Sequence, residues 1–341
     1  MLFRTPQTRS RPVVLTLVAI IVIGLLAGTY LLTSEDESEG ETRVTLFLSF
    51  IPSVQFAPVY VAAERGYFAD EGIDIQLEHG SEPDGLERIA TGDLRFGLIS
   101  GEQVILARAN GRPVVYVFEW YERFPVGVVA PVDAEIDEPA DLAGRVVGVP
   151  GPFGASYMGL RALLKAGNLT EADLAELRSI GFAAPDSVCA GEVEAATVYI
   201  ANEPLTIEQQ CTDVVVIPVS DYATLVSNGL VTNEQTIADE PDLVRGVVRA
   251  IRRGLEATIA EPDAAFTISV ENYVPDLPQD EYDTQRQVLD NSIALWRSDR
   301  LGETDPAAWE ATQAILIETD FLDAPLDDLA ASYDMRFLPG D

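Results

Sequence analysis

The sequence predicts an α/β protein of two lobes, each a sheet flanked by helices, with a ligand cleft between them. Short apolar strands alternate with helical segments from residue 43 to residue 218, and the alternation stops at the Pro-containing stretch 131–139 and then restarts. The length of 341 residues, 47% of them hydrophobic, suffices for one large core or two modest ones.

The first unit is the most informative. Val44 to Leu48 is an apolar run, and Pro52 and Ser53 mark a loop. Phe56, Val59, Tyr60 and Ala63 recur at helical spacing before Gly66, and Ile73, Ile75 and Leu77 alternate with polar residues. A βαβ unit follows, and open α/β sheets bind ligands at the carboxyl ends of their strands, here at Ser49 to Gln55. Next come a short helix over Asp84 to Gly92, a strand over Arg95 to Ser100, a helix over Glu102 to Asn110 and a strand over Val114 to Phe118. The apolar segment Pro125 to Ala130 leads to the boundary.

Beyond it, Arg145 to Val149 reads as a strand, Gly151 to Gly154 as a turn and Ala155 to Lys165 as a helix. The series continues with a strand over Arg178 to Phe182, a short helix near Pro185 to Ala190, a strand over Ala195 to Tyr199, a helix over Glu203 to Gln210 and a strand over Val214 to Pro218. Leu225 to Val231 returns to the first sheet, and helices over 240–261, 281–297 and 305–319 cover lobe one. The organisation expected is therefore lobe one from 43–130 and 222–341, and lobe two from 131–221, with hinge closure about the crossovers.

The amino end carries a different signal. Residues 13–32 are uncharged and mostly aliphatic, long enough to cross a bilayer. Arg4, Arg9 and Arg11 precede them and the acidic run Glu35 to Glu41 follows. That asymmetry predicts a cytoplasmic end at 1–12, a single-pass membrane anchor or else a cleaved signal at 13–32, a solvated tether at 33–42 and a body outside the cytoplasm.

Charge excludes one class of partner. With 56 acidic against 22 basic residues the formal charge is −34, and such a surface repels phosphate backbones, so no nucleic acid is expected. It disfavours anionic ligands for the same reason. Cys189 and Cys211 lie 22 residues apart; they either pair or remain two thiols, and neither sits in a metal-ligand spacing. No metal, cofactor or catalytic residue is expected. The single histidine, His79, reads as a surface residue, and no Ser/His/Asp set can be assembled around it.

Strand ends and helix starts of both lobes are rich in rings and amides. In lobe one these are Phe50, Ser53 and Gln55 in the first loop, Ser100, Glu102 and Gln103 after the third strand, and Trp120 and Tyr121 after the fourth. In lobe two they are Phe153, Gly154, Ser156 and Tyr157 at one helix start and Tyr199, Asn202 and Glu203 at another, with Asp221 and Tyr222 at the crossover. Flat rings sandwich a flat heteroaromatic ligand, and amides or carboxyls satisfy its N–H and C=O groups, which are costly to bury unpaired. Gly151 and Gly154 allow backbone approach. Each residue has a plainer reading as well. Phe50, Phe56 and Tyr60 fit a core, and Glu203 fits a first helical turn. Trp120 and Tyr121 are the better candidates, because adjacent rings after a strand cannot both enter one face of the core.

The wording of Pro52 to Gly72 (PSVQFAPVYVAAERGYFADEG), Ser100 to Val104 (SGEQV), Pro150 to Tyr157 (PGPFGASY), Asn202 to Pro204 (NEP) and Asp221 to Gly229 resembles the solute-binding proteins of bacterial ABC importers. The branch is the one holding the binding proteins for thiamin-pyrimidine precursors and for riboflavin. The resemblance spans roughly residues 43–265. It implies a type II periplasmic-binding-protein fold, a monomer that captures a vitamin-type solute in its cleft, and delivery to an ABC permease. The pyrimidine-binding relatives carry Asp-Trp-x-Pro-Asn in the first loop where this chain has Ser49-Phe50-Ile51-Pro52-Ser53, and "VQFAPVYVA", "SGEQV" and "FGASY" are closer to the riboflavin branch. Riboflavin is thus the first expectation and an aminopyrimidine precursor of thiamin the second. A pyrimidine synthase of the same fold exists among the relatives, but its chemistry needs histidines, a lysine and a cysteine-rich motif. A membrane-tethered sensor would have only 12 residues to carry its signal inward.

Overall fold

A computed structural model describes residues 41 to 339. Two five-stranded sheets, each flanked by helices, form its frame. In chain order the first half holds β1 (Thr42–Leu48), α1 (Ala57–Glu64), β2 (Ile73–His79), α2 (Glu82–Thr91), β3 (Phe96–Ser100), α3 (Gly101–Ala109), β4 (Val114–Glu119) and β5 (Val126–Pro131). Then come β6 (Val146–Val149), α4 (Gly154–Ala166), β7 (Glu176–Ser179), α5 (Ala184–Cys189), β8 (Ala195–Tyr199), α6 (Glu203–Gln210), β9 (Val214–Pro218) and β10 (Asn228–Asn233). The rest is helical: α7 (Glu234–Asp239), α8 (Pro241–Ala260), α9 (Pro262–Ile268), α10 (Tyr282–Trp296) and α11 (Pro306–Glu318).

The first sheet has the order β2-β1-β3-β10-β4 and the second β7-β6-β8-β5-β9. β1 pairs in parallel with β2 and β3, whereas β10 is antiparallel to β3 and β4. In the second sheet β6 is parallel to β7 and β8, and β5 runs antiparallel between β8 and β9. The expected return of Leu225 to Val231 to the first sheet is thus β10. The apolar segment before residue 130 joins the second sheet instead of the first. The chain therefore changes sheets between Trp120 and Pro125, ahead of the Pro-containing stretch, because β5 supplies the partner that both β8 and β9 need.

Packing follows the sequence pattern. β1 is buried on both faces, with Leu46, Phe47 and Leu48 nearly inaccessible, as a central strand covered by helices must be. Phe47 lies flat on α2 only because Gly85 has no side chain; a Cβ there would stand 2.2 Å from the ring. Val244, Val247, Val248, Ile251 and Leu255 form one buried stripe of α8, which packs along α1. Pro241 and Pro262, each at a first helical turn, divide the helix expected over 240–261 from its neighbours α7 and α9.

At the back, α11 touches both halves. The Thr312 hydroxyl accepts the N–H of Val226 at 2.9 Å, and Arg161 of α4 donates to the carbonyl of Thr319 at 2.7 Å. Cys189 and Cys211, at the ends of α5 and α6, are joined as a disulfide, so the alternative of two thiols is set aside.

One expectation is corrected. No helix among the described residues is long and apolar enough to cross a membrane, and the fold is that of a globular α/β body. The anchor at 13–32, its flank at 1–12 and most of the tether at 33–42 lie outside the described residues, so the membrane localisation read from them has no support here.

Candidate functional site

The carboxyl ends of β1, β3 and β4 face those of β6, β7 and β8 across a cleft of about 1020 Å³, its open mouth included. One wall holds Phe50, Gln55, Phe56, Glu82, Trp120, Tyr121 and Asn228; the other holds Phe153, Gly154, Ser156, Phe182, Thr197, Tyr199 and Glu203.

The rings are arranged edge to face. Phe50 meets Phe182 across the mouth at 4.8 Å, and Tyr121 meets Tyr199 deeper in at 6.4 Å. Trp120 packs on Phe56 at 6.1 Å and on Trp296 of α10 at 6.2 Å, and Tyr121 reaches the same Trp296 at 5.9 Å. Both side chains are therefore buried while still lining the cleft. β4 ends at Glu119, so strand alternation no longer directs the two rings that follow.

Polar groups punctuate these walls. Glu203 begins α6, and its Oε2 accepts the N–H of Tyr199 at 3.0 Å; burial pushes its carboxyl up to about 7. The Tyr199 hydroxyl donates to Asn228 Oδ1 at 3.1 Å, which turns the Asn228 amide nitrogen to other partners. Gln55 Nε2 and Trp120 Nε1 are buried with no hydrogen-bond partner. Unpaired buried donors cost free energy until something accepts from them. No Lys, Arg or His lines the cleft.

A carboxyl pair joins the wall to the residues beneath it. Glu82 Oε1 accepts the Ser100 N–H at 2.6 Å and the Ser100 hydroxyl. Glu102 is almost wholly buried, takes a long contact from Gln103 at 3.4 Å, and is pushed up to about 8, first by desolvation and then by the charge of Glu82. Glu102 therefore keeps its proton at neutral pH, and burial raises the neighbouring Glu82 as well, against the pull of its bonds from Ser100.

Of the seventeen residues expected at the site, Phe50, Gln55, Trp120, Tyr121, Phe153, Gly154, Ser156, Tyr199 and Glu203 line the cleft. The other eight do not. Ser53 caps the turn at Val54–Phe56, accepting from the N–H of Gln55, and Ser100, Glu102 and Gln103 sit beneath the floor. Tyr157 points to the rear, where its hydroxyl bonds Glu171 and its ring meets Phe321 at 5.3 Å; one helical step of 100° separates it from Ser156. Asn202 precedes α6 without lining the cleft, and Asp221 and Tyr222 are exposed on the crossover.

Glu82, Asn228, Phe56, Phe182 and Thr197 line it without having been expected there. Glu82 reads in the sequence as an ordinary acid in a first helical turn, and Asn228 starts an antiparallel strand whose position depends on tertiary pairing. His79 is not a surface residue either. It is half-buried behind the first loop, with Nδ1 2.9 Å from the Phe50 carbonyl and Nε2 3.3 Å from the Tyr60 hydroxyl.

Similarity to known proteins accords with this geometry. The riboflavin-binding protein RibY of Chloroflexus aurantiacus is 38% identical over 87% of this chain and 86% of its own. The formylaminopyrimidine-binding protein of Halalkalibacterium halodurans is 28% identical over 90% and 94%. A 4-amino-5-hydroxymethyl-2-methylpyrimidine phosphate synthase of Legionella pneumophila is more distant, at 25% over 67% and 73%. Among solved structures, the alkanesulfonate-binding protein SsuA from Xanthomonas axonopodis pv. citri bound to MOPS superposes with a TM-score of 0.69, covering 86% of this chain and 99% of that one at 14% identity. The fold is thus that of periplasmic binding proteins. The family model described as NMT1/THI5 like matches residues 53–265, and with the riboflavin-binding relative so similar along most of its length, the chain belongs to the NMT1/THI5-like family.

Proposed function

We propose that this chain is the substrate-binding component of an ABC importer, that it takes riboflavin into the cleft as a monomer without altering it, and that it hands the vitamin to a permease. The observation that carries the reading is a cleft with seven rings on its walls, several polar groups and no cation. A flat, neutral, fused heteroaromatic fits such walls, because rings stack on its faces while amides and carboxyls meet its imide edge. The 38% identity to a riboflavin-binding protein supports the same choice. Phosphorylated or sulfonated ligands do not suit it, since nothing in the lining pairs with an anion and Glu82 and Glu203 would repel one.

An aminopyrimidine is the second reading, favoured by the 28% identity to a formylaminopyrimidine-binding protein. The two are separated by titrating the full chain with riboflavin, riboflavin 5′-phosphate and 4-amino-5-hydroxymethyl-2-methylpyrimidine, following flavin and tryptophan fluorescence. Saturable quenching by riboflavin, with the phosphate ester at least 100-fold weaker, is the expected result. Binding of the pyrimidine alone would replace the first reading by the second.

A further inference from the structure

Glu82 on the cleft wall has one oxygen engaged twice and the other without a hydrogen-bond partner among the described residues. Oε1 accepts from both the N–H and the hydroxyl of Ser100, and two donors on one oxygen favour the ionised form. Burial outweighs those two bonds and holds the group above the ordinary carboxylate range.

The position of Oε2 is unusual. Glu82 begins α2 on one wall, yet its free oxygen lies against Gly154, the first residue of α4 on the other wall. A Cβ built on Gly154 would stand 2.6 Å from it, and the Gly154 backbone has φ of 70°, a conformation that favours glycine. A carboxylate from one lobe thus reaches the far wall only because residue 154 has no side chain. Two amide donors accompany it in the lining. Gln55 Nε2 has no partner, and the Asn228 amide nitrogen is left over once Tyr199 has taken Oδ1.

An acceptor and two donors in one lining offer the groups that an N–H between two carbonyls needs. We propose that Glu82 is a specificity-determining residue whose Oε2 accepts a hydrogen bond from a ring N–H of the ligand. In riboflavin the group is the imide N3–H between its two carbonyls. The inference rests on the flavin reading of the cleft and adds which edge is read and by what.

The test compares riboflavin with 3-methylriboflavin, in which a methyl group replaces that hydrogen, on the full chain and on its Glu82→Gln variant. The native chain should prefer riboflavin by at least tenfold. In Glu82→Gln, where the amide can point its N–H2 at the ligand, riboflavin should weaken at least tenfold and the preference should fall close to one. A native preference near one, or a preference that survives in Glu82→Gln, overturns the inference while leaving flavin binding intact. Should neither flavin bind, the flavin reading fails and the N3–H assignment with it. A native preference near one needs no variant and overturns the inference even if Glu82→Gln does not fold.

Discussion

Phe50 and Phe182 stand edge to face across the mouth of the cleft, ring centroids 4.8 Å apart and planes at 84°. Phe50 follows β1 of the first sheet and Phe182 follows β7 of the second, so this contact bridges the two sheets at the mouth. Phe182 is exposed on its outer side, with 54% of its surface accessible. Aromatic pairs contribute about 0.5–1.5 kcal/mol beyond their buried area. Phe182→Ala should therefore release ligand several-fold faster in stopped-flow fluorescence while the melting temperature changes little. An unchanged dissociation rate would show that the pair does not guard the entrance.

Trp120 offers a sharper probe of the interior. Its ring is held by Phe56 and Trp296, and its Nε1 has no partner. Trp120→Phe keeps a ring and deletes the donor. If the ligand accepts from Nε1, affinity should drop by about 1 kcal/mol, the net value of one hydrogen bond. Calorimetric titration checks this, and equal affinity would leave Trp120 as a packing residue alone.

Stability should fall as the solution becomes alkaline. Glu102 and Glu203 have folded-state pKa values of about 8 and about 7, above the ordinary carboxylate range. For a group raised on folding, the full contribution is present below its unfolded pKa and is lost as pH rises through the folded value. Each such group removes about 1.4 kcal/mol per pH unit across that window. Urea unfolding between pH 5 and about 8 should show the decline, and Glu102→Gln, which copies the neutral acid, should flatten it. An unchanged slope in that variant would mean that Glu102 is ionised in the folded protein.

The disulfide closes a loop between positions 22 apart in sequence. In the chain-entropy model its loss costs about 3 kcal/mol. The double variant Cys189→Ser, Cys211→Ser should accordingly unfold at lower denaturant, and a shift of less than about 1 kcal/mol would show that the reduced chain already holds α5 and α6 together.

Charge repulsion gives a last expectation. The formal charge of −34 leaves many carboxylates uncompensated, although nearly every ion pair in the described residues is built on an arginine. Raising salt from roughly 0.01 M to 1 M shortens the screening length from ~30 Å to ~3 Å, so the melting temperature should rise with sodium chloride. A fall would mean that the ion pairs outweigh the repulsion.

Much of the fold was legible in the residues. Apolar runs such as Val114 to Phe118 and stripes such as Val244, Val247 and Ile251 announce strand and helix because burial has the same period as the backbone. The site was only half legible, for a reason visible in Tyr157 and Glu82. Phe153, Gly154 and Ser156 at the start of α4 line the cleft, but which side chain of that turn faces it depends on how the helix is rotated. That rotation is set by α11 and Arg161 at the rear. Glu82 shows the converse. Nothing local distinguishes it from Asp84, and only the pairing of β1 with β3 brings Ser100 alongside it.

The seating of α11 against both halves has a mechanical corollary. With Thr312 fastened to one half and the carbonyl of Thr319 to the other, the rear of the molecule behaves as a fixed spine. Any gape at the front must then be absorbed as torsion in the two short spans that cross between sheets, near Trp120 to Pro125 and Val219 to Thr224, ahead of the fastened Val226. Stiffening those spans would slow the comings and goings of a guest without changing a single atom that it touches.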